Sequence, residues 1–299
     1  MNKRICVFLC LIVTIGVLFG CSRDNKEVAD NNITRNRILK TEESPSISHQ
    51  SDIIEKEETT TENEKEEKVN NKLIEENSAI QNTTKETEKI EKFVIAIDAG
   101  HQEEGNYDEE PIGPGASETK AKVSSGTAGC VSGLNEYELT LMVSLKLQKE
   151  LENRGYDVIM TRTTNDVDIS NSERASMANN ADTDAFIRIH ANGSEDSSVK
   201  GAMTICQTKD NPYNSDLYQQ SKELATYILD EMVASSGCEK EYVWETDTMS
   251  GINWCQVPAT IVEMGYMSNP EEDRLLATDE YQKKIVQGIA NGIDQFLEE

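Results

Sequence analysis

At 299 residues the chain has room for one or two domains. It carries 55 acidic against 29 basic side chains, a net charge of −26. That balance excludes a nucleic-acid partner and charge-driven attachment to anionic lipid, because both need clustered Lys and Arg.

Residues 1–20 do not read as part of a fold. Lys3 and Arg4 form a short basic start, and residues 5–19 are almost uninterruptedly apolar. The stretch is short for a spanning helix, which needs about 20 residues, and has the layout of an export signal. Gly20 followed by Cys21 resembles the end of a bacterial lipoprotein signal. That resemblance implies cleavage before Cys21, lipid on its sulfur, and an exported, membrane-anchored protein facing the cell wall. An uncleaved N-terminal anchor is the alternative. Residues 21–92 contain 18 acidic and 12 basic side chains, with stretches such as EKEETTTENEKEEKVNNK that have no apolar period. Such a segment cannot bury enough surface to offset its conformational entropy, so it reads as an acidic, disordered tether. A flexible chain of this length averages about 50 Å end to end.

From residue 93 onward the pattern changes, and 93–299 reads as one domain, with 37 acidic and 15 basic side chains. FVIAI (93–97) is a buried strand. Residues 102–133 are rich in Gly, Ser and acidic side chains without a period, and read as a long loop: a lid, an inhibitory element that places a carboxylate on the site, or an inert surface insertion. Leu139, Met142, Val143, Leu147 and Leu151 then share one helical face, which ends before Gly155. YDVIMT (156–161) is a strand, NSERASMANNA (171–181) a helix capped by Ser170 or Asn171, AFIRIH (185–190) and GAMTICQ (201–207) two further strands. A long helix over 217–233 follows. ATIVEM (259–264) is a fifth strand, Pro270 opens a short helix after Asn269, and Ile285, Ile289 and Ile293 mark a last helical face. Strands that alternate with helices, and whose apolar runs lack strict alternation, predict an α/β domain with a mainly parallel sheet covered on both faces.

Open sheets of this kind bind ligands beyond the carboxyl ends of their strands. His101 follows the first strand, His190 ends FIRIH, and Glu263 ends ATIVE. These are the domain's two histidines, both at strand ends, with a carboxylate in the same kind of position. Two imidazoles and a carboxylate can bind a divalent metal and leave a coordination position open, while a second carboxylate serves as general base. In SGLNEYELTL (132–141), Asn135 is a natural N-cap and Glu138 stands where a capping-box carboxylate turns back to it. Glu136 is then free to point outward from the helix start, and is taken as the third ligand.

VIAIDAGH, LNEYEL, IRIHANGS and ATIVEMGYMSNPEED, in that order, resemble the zinc-dependent N-acetylmuramoyl-L-alanine amidases of the type 3 family. The resemblance spans about 93–298. It implies one Zn²⁺ per domain, held by His101, Glu136 and His190, with Glu263 as the catalytic carboxylate. It implies hydrolysis of the amide between the lactyl group of muramic acid and L-alanine in peptidoglycan. It also implies a single α/β domain built on a twisted, mostly parallel six-stranded sheet flanked by helices. Asn192, within the IHAN stretch, and Arg188, on the same strand face as His190, are candidate substrate contacts, with a structural salt bridge as the alternative for Arg188. Two other readings remain: a zinc peptidase or deacetylase of wall components, and a non-catalytic surface lipoprotein that binds peptidoglycan or zinc. Of seven cysteines, Cys130, Cys206, Cys238 and Cys255 fall in the domain, either paired or free.

Overall fold

The computed structural model describes residues 92–298; the proposed signal, Cys21 and nearly all of the tether lie outside them. The first strand, β1 (Val94–Ala99), is buried from its second residue onward. An antiparallel hairpin follows, β2 (Asn106–Pro111) and β3 (Thr119–Val123). Helix α1 (Glu136–Arg154) begins after Asn135, whose backbone N–H donates to Glu138 Oε2 at 3.0 Å, and ends at Gly155 with φ 97°. A left-handed C-terminal residue of this kind favours glycine. Strand β4 (Asp157–Met160) and helix α2 (Asn171–Asn180) come next, α2 capped by Ser170, whose Oγ accepts from Glu173 N. Strands β5 (Ala185–Asn192) and β6 (Ala202–Cys206) are followed by the long helix α3 (Tyr218–Ser236). The chain closes with β7 (Lys240–Glu245), a short α4 (Ser250–Asn253), β8 (Ala259–Tyr266), α5 (Pro270–Leu276) and α6 (Asp279–Glu298).

Six strands form one sheet in the order β4-β1-β5-β8-β6-β7. The first four are mutually parallel; β6 pairs antiparallel with β8, and β7 parallel with β6. The period of two along each strand divides the core. Ile95, Ile97, Ile187 and Ile189 pack on one face with residues of α1, α3 and α6. Ala96 and Phe186 pack on the other with Ala175 and Ala178 of α2. This is the α/β architecture expected from the sequence, with helices on both faces of a mostly parallel sheet.

Two elements differ from the sequence reading. The 102–133 segment is not structureless, because 106–123 folds back as the β2–β3 hairpin. Its strands are largely exposed and polar, so they lack the apolar alternation that marks a strand. The sixth strand, β7, is KEYVWE at the sheet edge, where every second residue is exposed and the apolar signal is thin. Cys130, Cys206, Cys238 and Cys255 are all free thiols. Burial pushes the Cys206 and Cys255 thiols up to about 12, which removes them from thiolate chemistry.

Candidate metal centre

The parallel strands β1, β5 and β8 end on the same edge of the sheet and carry His101, His190 and Glu263 there, while α1 starts with Glu136. His190 and Glu263 are register partners on neighbouring strands. His101 lies just past β1 with φ 62°, in the left-handed region that side chains with a Cβ rarely occupy. Gly100 precedes it because the backbone there runs against the second imidazole: a Cβ on Gly100 would lie 2.4 Å from His190 Nε2.

Three donor atoms converge. His101 Nε2 lies 2.9 Å from Glu136 Oε1, His190 Nδ1 lies 3.3 Å from the same oxygen, and the two nitrogens are 3.1 Å apart. The rings meet edge to face, with centroids 4.7 Å apart and planes at 77°. Among the described residues, these three side chains form the one group of at least three acidic, His or Cys residues placed to share an ion. Neighbouring donors of a tetrahedral zinc, bound at about 2.0–2.1 Å, stand about 3.3 Å apart, so the set fits that ion closely. The outer contacts of His101 and Glu136 fit as well, whereas His190 Nε2 has no partner among the described residues. His101 Nδ1 lies 2.9 Å from the Ser124 carbonyl, the partner that fixes a ligand imidazole with its lone pair on Nε2. Glu136 Oε2 accepts from Thr127 N at 2.9 Å, and Oε1 from Ala191 N at 3.1 Å.

Electrostatics separate Glu263, Glu136 and His190. Removal from water pushes Glu263 up to about 8, helped by the nearby negative charge of Glu136 and opposed by Arg188. Among the described residues Glu263 Oε2 has no hydrogen-bond partner. Burial also opposes ionisation of Glu136, but the two imidazoles that face its carboxylate outweigh it and hold this carboxyl well below the usual range. Burial lowers His190 to about 4, against the pull of Glu136, so its imidazole is neutral at pH 7, the form that binds a metal. One carboxylate is thus kept charged among nitrogen donors, and a second, half-buried, is made unusually basic.

All four residues open onto a cavity of about 830 Å³. The hairpin supplies one wall, through Lys120, Ala121 and Val123, and the β5 exit another, through Asn192 and Glu195. Asn192 faces the cavity, with Oδ1 accepting from Gly193 N at 2.9 Å. Arg188 also reaches the cavity wall, but its Nε donates to Asp98 Oδ2 at 2.9 Å and its Nη2 to Asn171 Oδ1 at 2.7 Å. The hairpin's carboxylates find partners elsewhere. Glu110, buried, accepts from Ser172 N and Oγ at the start of α2, Glu109 from Thr119, and Asp108 pairs with Lys122. Trp254 Nε1 and Asn253 Nδ2 bind the carbonyls of Pro111 and Ile112 and fasten the hairpin to the domain.

A buried polar framework lies under the site; the sequence reading foresaw only one part of it, a structural salt bridge at Arg188, which here joins Asp98. Asp98, fully buried, accepts from Arg174 Nη1 at 2.8 Å, Arg188 Nε at 2.9 Å and Thr161 Oγ1 at 2.6 Å. Burial opposes its ionisation, yet the two guanidiniums and the hydroxyl hold it far below the normal carboxylate range. Asp98 and Arg162 carried one signal, a charged side chain directly after a strand-like run (93–97 and 156–161), and Arg174 another, a charge within a helical stretch.

The profile of the N-acetylmuramoyl-L-alanine amidase family matches residues 95–295. An N-acetylmuramoyl-L-alanine amidase of Mycobacterium tuberculosis is 27% identical over 217 residues, which cover 70% of this chain and 88% of that protein. Among solved structures, the amidase Ami1 of Mycobacterium smegmatis superposes with a TM-score of 0.62 at 27% identity, covering 69% of this chain and 97% of Ami1. The CwlD amidase of Clostridioides difficile, solved in complex with the GerS lipoprotein, gives 0.56 at 25% identity, covering 69% of this chain and 98% of CwlD.

Proposed function

The chain belongs to the N-acetylmuramoyl-L-alanine amidase family, and on that premise we propose that it is a zinc-dependent cell-wall hydrolase, with His101, Glu136 and His190 as metal ligands and Glu263 as general base. The bond cleaved is the amide between the lactyl group of muramic acid and L-alanine in peptidoglycan. The observation that carries the zinc reading is the convergence of His101 Nε2, His190 Nδ1 and Glu136 Oε1 within 3.3 Å of one another.

A zinc ion held by His101, Glu136 and His190 would supply a Lewis acid for the amide carbonyl and for water. The chain's residues do the rest. Glu263 takes the proton of the attacking water and returns it to the nitrogen of L-alanine as the amide breaks. Its Oε2, without a partner among the described residues, and its preference for the protonated form make it a strong acceptor; a dication in the adjacent site would favour its ionised form. Glu136 offsets the metal's charge. Asn192 is placed on the cavity wall to orient the substrate, and Arg188 supports that wall while its charge is balanced by Asp98.

Residues 1–20 act in this account as an export signal, Cys21 as a lipid attachment site, and the segment to residue 92 as a tether between membrane and wall. Purified protein incubated with peptidoglycan tests the reading. The expected products carry new free L-alanine amino termini, detected by mass spectrometry, lost with a chelator and restored by zinc. Zinc-independent cleavage, or a different scissile bond, overturns it. Labelled lipid incorporated in the wild type but not in Cys21→Ala tests the anchor.

A further inference from the structure

We propose that Arg174 and Arg162 are positioning residues: two buried guanidiniums clamp the turn 99–101 and so aim the His101 imidazole at the metal position. The inference rests on the metal reading above and concerns what holds the ligand rather than the ligand itself.

The turn presents three successive carbonyls, and each receives a guanidinium. Ala99 O accepts from Arg162 Nε and Arg174 Nη1, both at 2.8 Å. Gly100 O accepts from Arg162 Nη2 at 3.0 Å and from Thr140 Oγ1 at 2.7 Å. His101 O accepts from Arg174 Nη2 at 3.0 Å. At this point β1 leaves the sheet and His101 takes up φ 62°. An unusual backbone angle persists only where its surroundings over-determine it, and the two arginines, anchored in α2 and beyond β4, do so from separate elements.

Charge balance alone does not explain the arrangement. Arg174 needs one carboxylate, and Asp98 provides it at 2.8 Å. Its other donors reach Ala99 O, His101 O, Gln102 Oε1 and Ile169 O. Among the described residues Arg162 makes no ion pair with a carboxylate within 4 Å; its donors go to the turn, to Thr164 O and Asn165 Oδ1, and to Tyr137 O at 2.8 Å. Tyr137 follows Glu136. Arg162 therefore ties the backbone that carries one ligand to the first helical turn that carries another. A planar fork with five donors can do this, and a lysine, with a single ammonium, cannot.

The test uses the full chain carrying Arg174→Lys or Arg162→Lys. Each keeps the positive charge, and the second variant gives a reading if the first does not fold. Zinc affinity is measured by competition with a chromogenic chelator, coordination geometry by the visible absorption of bound Co²⁺, and melting is followed on metal-free protein. Arg154→Lys, at an ion pair with Asp294 remote from the centre, serves as the stability control. The expected result is about 10- to 100-fold weaker zinc binding, the range for lost outer-shell contacts, with an altered Co²⁺ spectrum, and neither change in the control. Lysine variants that melt lower but bind zinc within about twofold of the wild type, with an unchanged spectrum, would make the arginines merely structural and overturn the clamp. Wild-type protein that binds no zinc would instead overturn the metal reading beneath it.

Discussion

The two histidines reach one carboxylate by different routes. His190 sits within β5, in register with Glu263 of β8 just before that register shifts, and one residue beyond the last pairing of β5 with β1. His101 sits beyond the end of β1 in a left-handed backbone, with a guanidinium on every carbonyl of its turn. Sheet geometry suffices to place the first. The second depends on residues brought from 61 and 73 positions away along the chain, Arg162 and Arg174. A ligand inside a strand inherits the rigidity of the core, whereas a ligand on a turn needs a polar scaffold of its own.

Removing either imidazole gives the largest effect, because it leaves two ligands of three. For His101→Ala and His190→Ala the account predicts loss of stoichiometric zinc in metal analysis and at least about 10³-fold lower turnover of peptidoglycan. The comparison sharpens when the scaffolds are altered instead. Asp98→Asn leaves Arg174 and Arg188 buried without their carboxylate, and stability should fall by about 3–5 kcal/mol in denaturant melts at pH 7. Asp98 ionises far below its unfolded value of 3.8, so its contribution is complete above about pH 5 and is lost as pH falls below about 4. The gap between wild type and Asp98→Asn should therefore narrow at pH 3, and an unchanged gap would contradict the assignment.

Gly100→Ala tests the point where the two histidines touch. The added Cβ would meet the His190 ring at 2.4 Å, so the imidazole or the turn must move. A destabilisation of about 1–3 kcal/mol and weaker zinc binding in the chelator assay are expected. The smallest effect belongs to Ser124→Ala. Its carbonyl, which orients His101, is retained, and the hydroxyl at 3.2 Å is a secondary partner. Activity within about twofold of the wild type is expected, and a large loss would give the side chain a role the account does not assign.

The same contrast governs what the sequence disclosed. His101, His190 and Glu263 were legible because strand ends can be read from apolar runs, and Glu136 because the Asn135–Glu138 cap left it free. Of the framework beneath them, only a salt bridge at Arg188 was legible, and not its partner. Asp98 and Arg188 are register partners on adjacent strands, but that register is fixed only once the sheet assembles. Arg174 reads as an exposed helix residue until α2 is seen to lie on the sheet face beside Asp98. The hairpin was missed because its strands bury little: Tyr107 is exposed and the docking groups are single side chains such as Glu110 and Trp254. Long-range polar pairing has no period, so pattern reading does not detect it.

Metal content and product measured together on wild type and Glu263→Gln test the central claim most directly. The account predicts one zinc per domain in both proteins, with free L-alanine amino termini released by the wild type and essentially none by the variant. A Glu263→Gln protein that retains its zinc and cleaves peptidoglycan at the wild-type rate would contradict it.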